Sequence, residues 1–256
     1  MRTFEELADL SGRAALVVGG AGHIGRAVCR ALGELGAEVL SGDVTDQHPL
    51  PGVRSIQVDL HDEGATRRLI PAALDILGRL DVLVHCAAYT GDTVGEGWVA
   101  PFEEQTVDAW DRAHRVNVTS AMILAQAARP VLASTGRGSV VFVSSIYAFL
   151  APDPRVYEGT RMHSPAGYSA SKGALLQLMR HLAPIMAPEV RVNAVSPGGI
   201  ARGQDHRFVQ RYEEGTPLAR MGTEEDVIGA IAYLASDLSS YVTGANLVVD
   251  GGRSIW

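Results

Sequence analysis

A phenol and an ammonium stand four positions apart in GYSASKG (167–173), as Tyr168 and Lys172. On a helix that spacing puts both on one face, a turn apart. The small neighbours Gly167, Ser169, Ala170, Ser171 and Gly173 leave that face open. A tyrosine proton ordinarily leaves near pH 10, too high for acid–base work at neutral pH. A fixed positive charge nearby favours the phenolate, so the pair can form a tuned general acid/base. The alternative is an ordinary helix with a half-buried tyrosine and a solvated lysine.

A second constellation lies near the start of the chain. VGGAGHIG (18–25) spells G-x-G-x-x-G with Gly20, Gly22 and Gly25, accompanied by Gly19, His23 and Ile24. It sits between an apolar run and a helix-length stretch, the context in which this motif holds a dinucleotide. Glycine lets the backbone turn and approach a pyrophosphate, and the helix N-terminus offers free amides to it. Asp43 follows Gly25 by eighteen residues, at the end of the next apolar run. A carboxylate there suits the adenosine ribose hydroxyls and repels a 2′-phosphate, which favours NAD over NADP. The alternative is a turn aspartate in GDVTD. His23, if protonated, would work against the NAD preference. Asp59, with Leu60 beside it, is a candidate for the adenine edge.

The elements that must position these groups follow from pattern. Apolar strands are expected over 14–20, 37–43, 53–60, 80–88, 138–145, 190–198 and 245–252. Helices are expected over 25–36, 62–78, 106–133 and 164–187. Near-continuous Val/Leu/Ile runs imply strands buried on both faces. Their alternation with helices predicts an α/β fold, a Rossmann-like doubly wound parallel sheet of about seven strands flanked by helices. With no repeat or linker, residues 1–256 read as a single domain.

Composition narrows the function. The chain has 256 residues, 46% hydrophobic and 20% charged, so a sizeable core is expected. A net charge of −7 with no basic run argues against nucleic acid. Cys29 and Cys86 read as buried thiols of a reducing cytoplasm. The first residues lack the continuous apolar stretch of a signal peptide, and no run is long enough to span a bilayer. No metal-ligand motif stands among the histidines, so no metal is expected.

With the glycine loop, YSASK and SPGG in this order, the chain resembles the short-chain dehydrogenase/reductase family over nearly its whole length. The resemblance implies a catalytic set of Asn117, Ser145, Tyr168 and Lys172, with Ser144 ranked second for the serine. Tyr168 would exchange a proton with the substrate oxygen and Ser145 would hydrogen-bond that oxygen. Lys172 would hold the nicotinamide ribose and lower the Tyr168 pKa. Asn117 would hold a water leading from Lys172 to solvent. Pro197, Gly198 and Ile200 would line the nicotinamide, and Cys86, Ala87 and Ala88 would line the cofactor after the fourth strand. The implied enzyme moves a hydride between NAD(H) and a secondary alcohol or ketone in a cytoplasmic homotetramer or homodimer. A non-catalytic dinucleotide sensor and a keto reductase for acyl-type carbonyls are the rivals.

The chain also departs from the family pattern. Val18 stands for the threonine that opens the glycine loop, His23 for a glycine, His85 for an asparagine, Ala88 for a glycine and Arg202 for a threonine. His85 is expected to be hydrogen-bonded at a strand end. Ser145 and Tyr168 lie twenty-three positions apart. The surplus, 152–164, predicts a surface loop beside the substrate, offering Arg155, Tyr157, Glu158, Arg161 and His163, or a loop that only packs on a neighbouring subunit. IYAFLAP (146–152) offers apolar lining. The segment 201–220 is expected to be loosely helical and to close over the substrate, with Arg202, Gln204, His206 and Arg207 meeting an anionic or hydroxylated ligand. The loop, with SPGGI and the C-terminal VDGG, points to a polar, sugar-like or polyol substrate. Trp256 would reach a neighbouring active site.

Overall fold

The computed structural model describes residues 1–45, 50, 52–90 and 95–255. Seven parallel strands form one sheet in the order β3-β2-β1-β4-β5-β6-β7. They are β1 (Ala14–Val18), β2 (Glu38–Asp43), β3 (Val53–Gln57), β4 (Val82–His85), β5 (Gly138–Val143), β6 (Val190–Pro197) and β7 (Asn246–Val249). The three central strands, β1, β4 and β5, are buried along their full length, whereas the edge strands β3 and β7 are partly exposed. That is the burial expected of unbroken Val/Leu runs covered on both faces.

Each face of the sheet has its own apolar layer. On one, α3 (Glu63–Leu77), α5 (Ser120–Ser134) and α6 (Ala166–Met186) bury Leu69, Leu124, Leu175 and Met179 against Leu16, Leu83 and Val140. On the other, α2 (His23–Glu34) and α8 (Glu224–Ala235) bury Val28, Leu32, Val227 and Ile231 against Val17, Val84 and Val141. Each fully buried Leu or Ile contributes about 2 kcal/mol. The strand order reverses between β2-β1 and β4-β5, so the strand ends open a crevice beside β1, where doubly wound folds bind ligands.

Three features lie outside the expected elements. A short α1 (Phe4–Ala8) is closed by a Thr3–Glu6 capping box. The helix α8, with its Thr223–Asp226 box, had no counterpart among the expected elements. The helix expected over 106–133 is divided: α4 (Val107–His114) passes through a π-turn, Arg115–Thr119, into α5. The π-turn carries Asn117. The segment expected to be loosely helical contains a defined helix, α7 (His206–Glu214).

Candidate active site

The β1–α2 loop is packed too tightly for side chains. Gly19 has φ +78°, and a Cβ there would collide with the backbone of Cys86 and Ala87. A Cβ on Gly25 would strike the backbone of Gly19. Gly19 N and Gly20 N donate to Gly42 O at 2.7 and 3.3 Å, tying the turn to the end of β2. Gly22 caps α2 without a side-chain hydrogen bond, and no acidic residue sits in that helix's first turn. Backbone amides and the positive end of the helix dipole therefore face the cleft, a surface suited to phosphate.

The Asp43 carboxylate is held over this loop. Its Oδ2 accepts from Ala21 N at 2.9 Å and its Oδ1 from Thr45 N at 3.4 Å. The carboxylate thus serves the turn and at the same time lines the cleft. Asp59 and Leu60 line the same end, with Asp59 Oδ1 accepting from His61 N at 2.8 Å. Cys86 N and Ala87 N both donate to Val18 O, which turns the chain after β4 along the cleft wall together with Ala88. Cys86 is half-buried, not enclosed as its sequence context implied, and burial raises its thiol pKa.

At the other end, β5 and α6 bring the proposed chemical groups together. The Ser145 hydroxyl, which accepts from Tyr147 N at 3.2 Å, and the Tyr168 phenol line the same cleft, and the serine works to lower the phenol's pKa. Ser144 points elsewhere: its Oγ donates to Lys172 O at 3.1 Å, fastening α6 to the strand end. The two serines thereby separate into a group at the cleft and a structural tie. Lys172 is buried, and its Nζ donates to Val143 O at 2.7 Å, lying 5.7 Å from the centroid of the Tyr168 ring.

Burial raises the Tyr168 pKa, while the Ser145 hydroxyl and the Arg202 charge oppose the rise. The Lys172 ammonium is engaged by the Val143 carbonyl, and burial pushes its own pKa down to about 8. Asn117, buried, accepts from Tyr89 N through Oδ1 at 2.7 Å and donates through Nδ2 to Ser171 Oγ at 2.8 Å. Ser171 Oγ in turn donates to Tyr168 O at 2.9 Å. The Asn117 amide thus ties the turn after β4 to the start of α6. His85 is hydrogen-bonded at its strand end as expected, Nε2 to Ser120 Oγ at 2.8 Å. Burial, aided by Lys172, pushes its pKa down to about 3, so it is neutral.

The 152–164 loop packs within its own chain. Arg207 Nη1 donates to Gly159 O and Arg211 Nη1 to Glu158 O, while Val156 sits among Phe208, Tyr212 and Met221. Tyr157, Arg161 and His163 line the cleft as expected. Arg155 and Glu158 do not: Arg155 turns outward to Asp153 and Glu158 is exposed. Of the four polar residues singled out in 201–220, Arg202 and Gln204 line the cleft. His206 is 84% exposed, and Arg207 is spent on the loop.

The cleft joins all of this in about 1390 Å³, bounded by the glycine turn, Asp43, Ser145, Tyr168, Lys172, Pro197, Gly198 and Ile200. That exceeds an ordinary small-ligand pocket and leaves room for a dinucleotide with a second molecule beside it. Sequence reasoning missed two residues here. Tyr212 Oη accepts from Gly199 N at 2.5 Å, linking α7 to the Pro197–Gly198 turn. Tyr147 was read only as part of an apolar stretch, although a tyrosine in such a stretch signals a hidden hydroxyl partner. Trp256 lies outside the described residues.

A family model described as enoyl-(acyl carrier protein) reductase matches residues 19–254. The chain belongs to the short-chain dehydrogenase/reductase family. Sorbose reductase of Schizosaccharomyces pombe is 31% identical over 95% of this chain and 96% of that protein. A probable galactose dehydrogenase of Rhizobium meliloti is 32% identical over the same shares, 95% and 96%. A short-chain dehydrogenase of Leptospira borgpetersenii solved with bound NAD+ superposes with a TM-score of 0.87 at 29% identity, covering 100% of this chain and 97% of that one. This short-chain dehydrogenase/reductase is thus an enzyme of alcohol and ketone oxidoreduction on a fold that binds a nicotinamide dinucleotide. Among its described residues, no helix is long and apolar enough to cross a membrane, and no group of three His, Cys, Asp or Glu could hold a metal.

Proposed function

We propose that the chain is an NAD(H)-dependent dehydrogenase/reductase for a secondary alcohol or ketone on a polar, sugar-like or polyol substrate. The observation that carries this reading is that Ser145, Tyr168 and a buried Lys172 share one cleft with the glycine turn and Asp43. The nicotinamide supplies or accepts the hydride. Tyr168, held protonated by burial, donates its proton to the substrate oxygen during ketone reduction and recovers it in the reverse direction. Ser145 hydrogen-bonds that same oxygen and the charge developing on it. Lys172 lies one helical turn on, lines the same cleft and would hold the nicotinamide ribose. Pro197, Gly198 and Ile200 line the cleft on a turn that Tyr212 fastens through Gly199 N, and would hold the nicotinamide.

Asp43 supports NAD over NADP, because its carboxylate is fixed at the end of β2, where a 2′-phosphate would meet like charge. The polar lining of Arg161, His163, Arg202 and Gln204 supports a hydroxylated substrate, as do the printed names of the sorbose and galactose relatives. Met162 and Phe208 at the same end favour, as the second reading, a keto reductase for acyl-type carbonyls. We also propose a single domain, a cytoplasmic location and a homotetramer or homodimer. Edge strand β7 and its surroundings, with Val248 43% and Ile255 79% exposed, support the oligomer. Initial rates with NAD and NADP against polyols, sugars, hydroxy acids and keto esters test the reading. It predicts NAD-linked turnover of polyols or sugars, and turnover of keto esters alone would overturn the substrate class.

A further inference from the structure

The turn after β6 lines the cleft on one side and is held from the other. Its last bond to the sheet runs from Gly198 N to Val249 O at 2.9 Å. The next amide has left the sheet, and Gly199 N donates instead to Tyr212 Oη at 2.5 Å. An amide sheltered there needs that acceptor. The tyrosine also packs on the turn: a Cβ on Gly199 would come within 2.8 Å of Tyr212 Cζ, and one on Gly198 within 3.0 Å of Tyr212 Oη. Where this ring stands therefore decides where the wall of the cleft stands.

Tyr212 is set in turn by the end of the chain. Arg253, half-buried, opens the 3-10 turn Arg253–Ile255. Its guanidinium carbon lies 4.0 Å from the centroid of the Tyr212 ring, and its Nη1 donates to Tyr212 O at 2.8 Å. One planar side chain thus holds both the ring and the backbone of the same tyrosine, a pairing of stacking and donation that suits arginine. The turn beneath it is fixed by Asp250, whose Oδ1 accepts from Gly252 N at 2.9 Å and Oδ2 from Ser254 N at 2.8 Å. On the substrate side, Tyr157, its phenol oxygen 2.8 Å from that of Tyr147, packs on Phe208 with ring centroids 5.3 Å apart. Phe208 packs on Tyr212 at 5.7 Å. Helix α7 is braced at both ends of this row of rings.

We infer that Arg253 is a positioning residue for the nicotinamide: acting through Tyr212 and Gly199, it holds the cleft wall where the cofactor ring is to lie. Arg253 does not itself line the cleft. The inference rests on the proposed dehydrogenase reading and adds a residue to it. The competing view makes Arg253 a staple that only fastens the chain end to α7.

ADP-ribose carries every part of NADH except the nicotinamide ring, so the two ligands together isolate the wall. Fluorescence titration measures NADH affinity and calorimetry ADP-ribose affinity. In Arg253→Met, NADH should bind about fivefold more weakly and ADP-ribose within about twofold of the natural protein, a change worth one ordinary hydrogen bond at one end of the cleft. Tyr212→Phe strips Gly199 N of its acceptor and should weaken NADH about tenfold with the same selectivity. The double variant should lie close to Tyr212→Phe alone, well short of the product of the two effects, because Arg253 acts through the tyrosine. Equal weakening of both ligands, NADH affinity unchanged in Arg253→Met, or multiplying effects in the double variant would overturn the inference. Failure of the dehydrogenase reading looks different: the natural protein would bind neither ligand, and the inference would fall with it.

Discussion

Lys172→Met isolates what a buried ammonium does to this fold. Burial moves the Lys172 pKa from 10.5 to about 8. At 1.36 kcal/mol per pH unit, the charged form costs the folded state about 3 kcal/mol. The unfolded chain keeps this proton up to about pH 10.5, the folded chain only to about pH 8. Between those values the unfolded state binds more protons, so the lysine protein gains stability as pH rises. Its penalty is fully present below pH 8. Methionine removes the charge and also strips the Val143 carbonyl of its donor, at a cost of about 1–2 kcal/mol. The variant should therefore be more stable than the natural protein by about 1–2 kcal/mol at pH 7. It should be less stable by about the same amount near pH 10.5. Urea unfolding without nucleotide, at pH 7 and in steps to pH 10.5, measures the difference directly, because the other titrating groups are common to both proteins. A difference that stays flat with pH would refute the reasoning, since only a buried, proton-losing amine produces the slope. The same variant should be nearly inactive, which makes Lys172 a residue kept for function against stability.

Further predictions follow from the site. Asp43→Ala should relax the discrimination against NADP by about tenfold or more, since a carboxylate a few ångströms from a phosphate at the protein surface is worth about 1–4 kcal/mol; kcat/KM with both cofactors measures it. Ser145→Ala should lower kcat by about a hundredfold or more, while Ser144→Ala should mainly lower the melting temperature by loosening the Lys172 carbonyl tie. Parallel kinetics and thermal melts of the two variants separate them, and identical behaviour would contradict the assignment.

Much of the fold was legible because its signals are local. Apolar runs marked all seven strands, and the glycine loop could be placed from its strand–turn–helix setting alone. Asp43 stood out by its distance from Gly25, and Tyr168 with Lys172 by helical spacing. What escaped depends on contacts distant in sequence. The π-turn at Arg115–Thr119 leaves no mark in an apolar period, because one extra residue in a turn barely moves the buried face. Helix α8 was readable in principle from Thr223 and Asp226 at capping-box spacing followed by an apolar stretch. Ser144 and Ser145 are adjacent hydroxyls at a strand end, and only the approach of α6 gives them different partners. Tyr147 looked apolar until the loop brought Tyr157 to it. The ammonium of Lys172 could be placed by sequence, but its engagement with Val143 O, from a strand far away in sequence, could not.

The account stands on the Tyr168 phenol as the group that passes a proton to or from the substrate oxygen. Stopped-flow hydride transfer in Tyr168→Phe, set beside NADH affinity by fluorescence, tests it most directly. The account predicts transfer slowed by a hundredfold or more, with NADH affinity within about twofold of the natural protein, since the lost hydroxyl is not what holds the nucleotide. Transfer at close to the natural rate, or transfer and affinity lost in equal proportion, would contradict it.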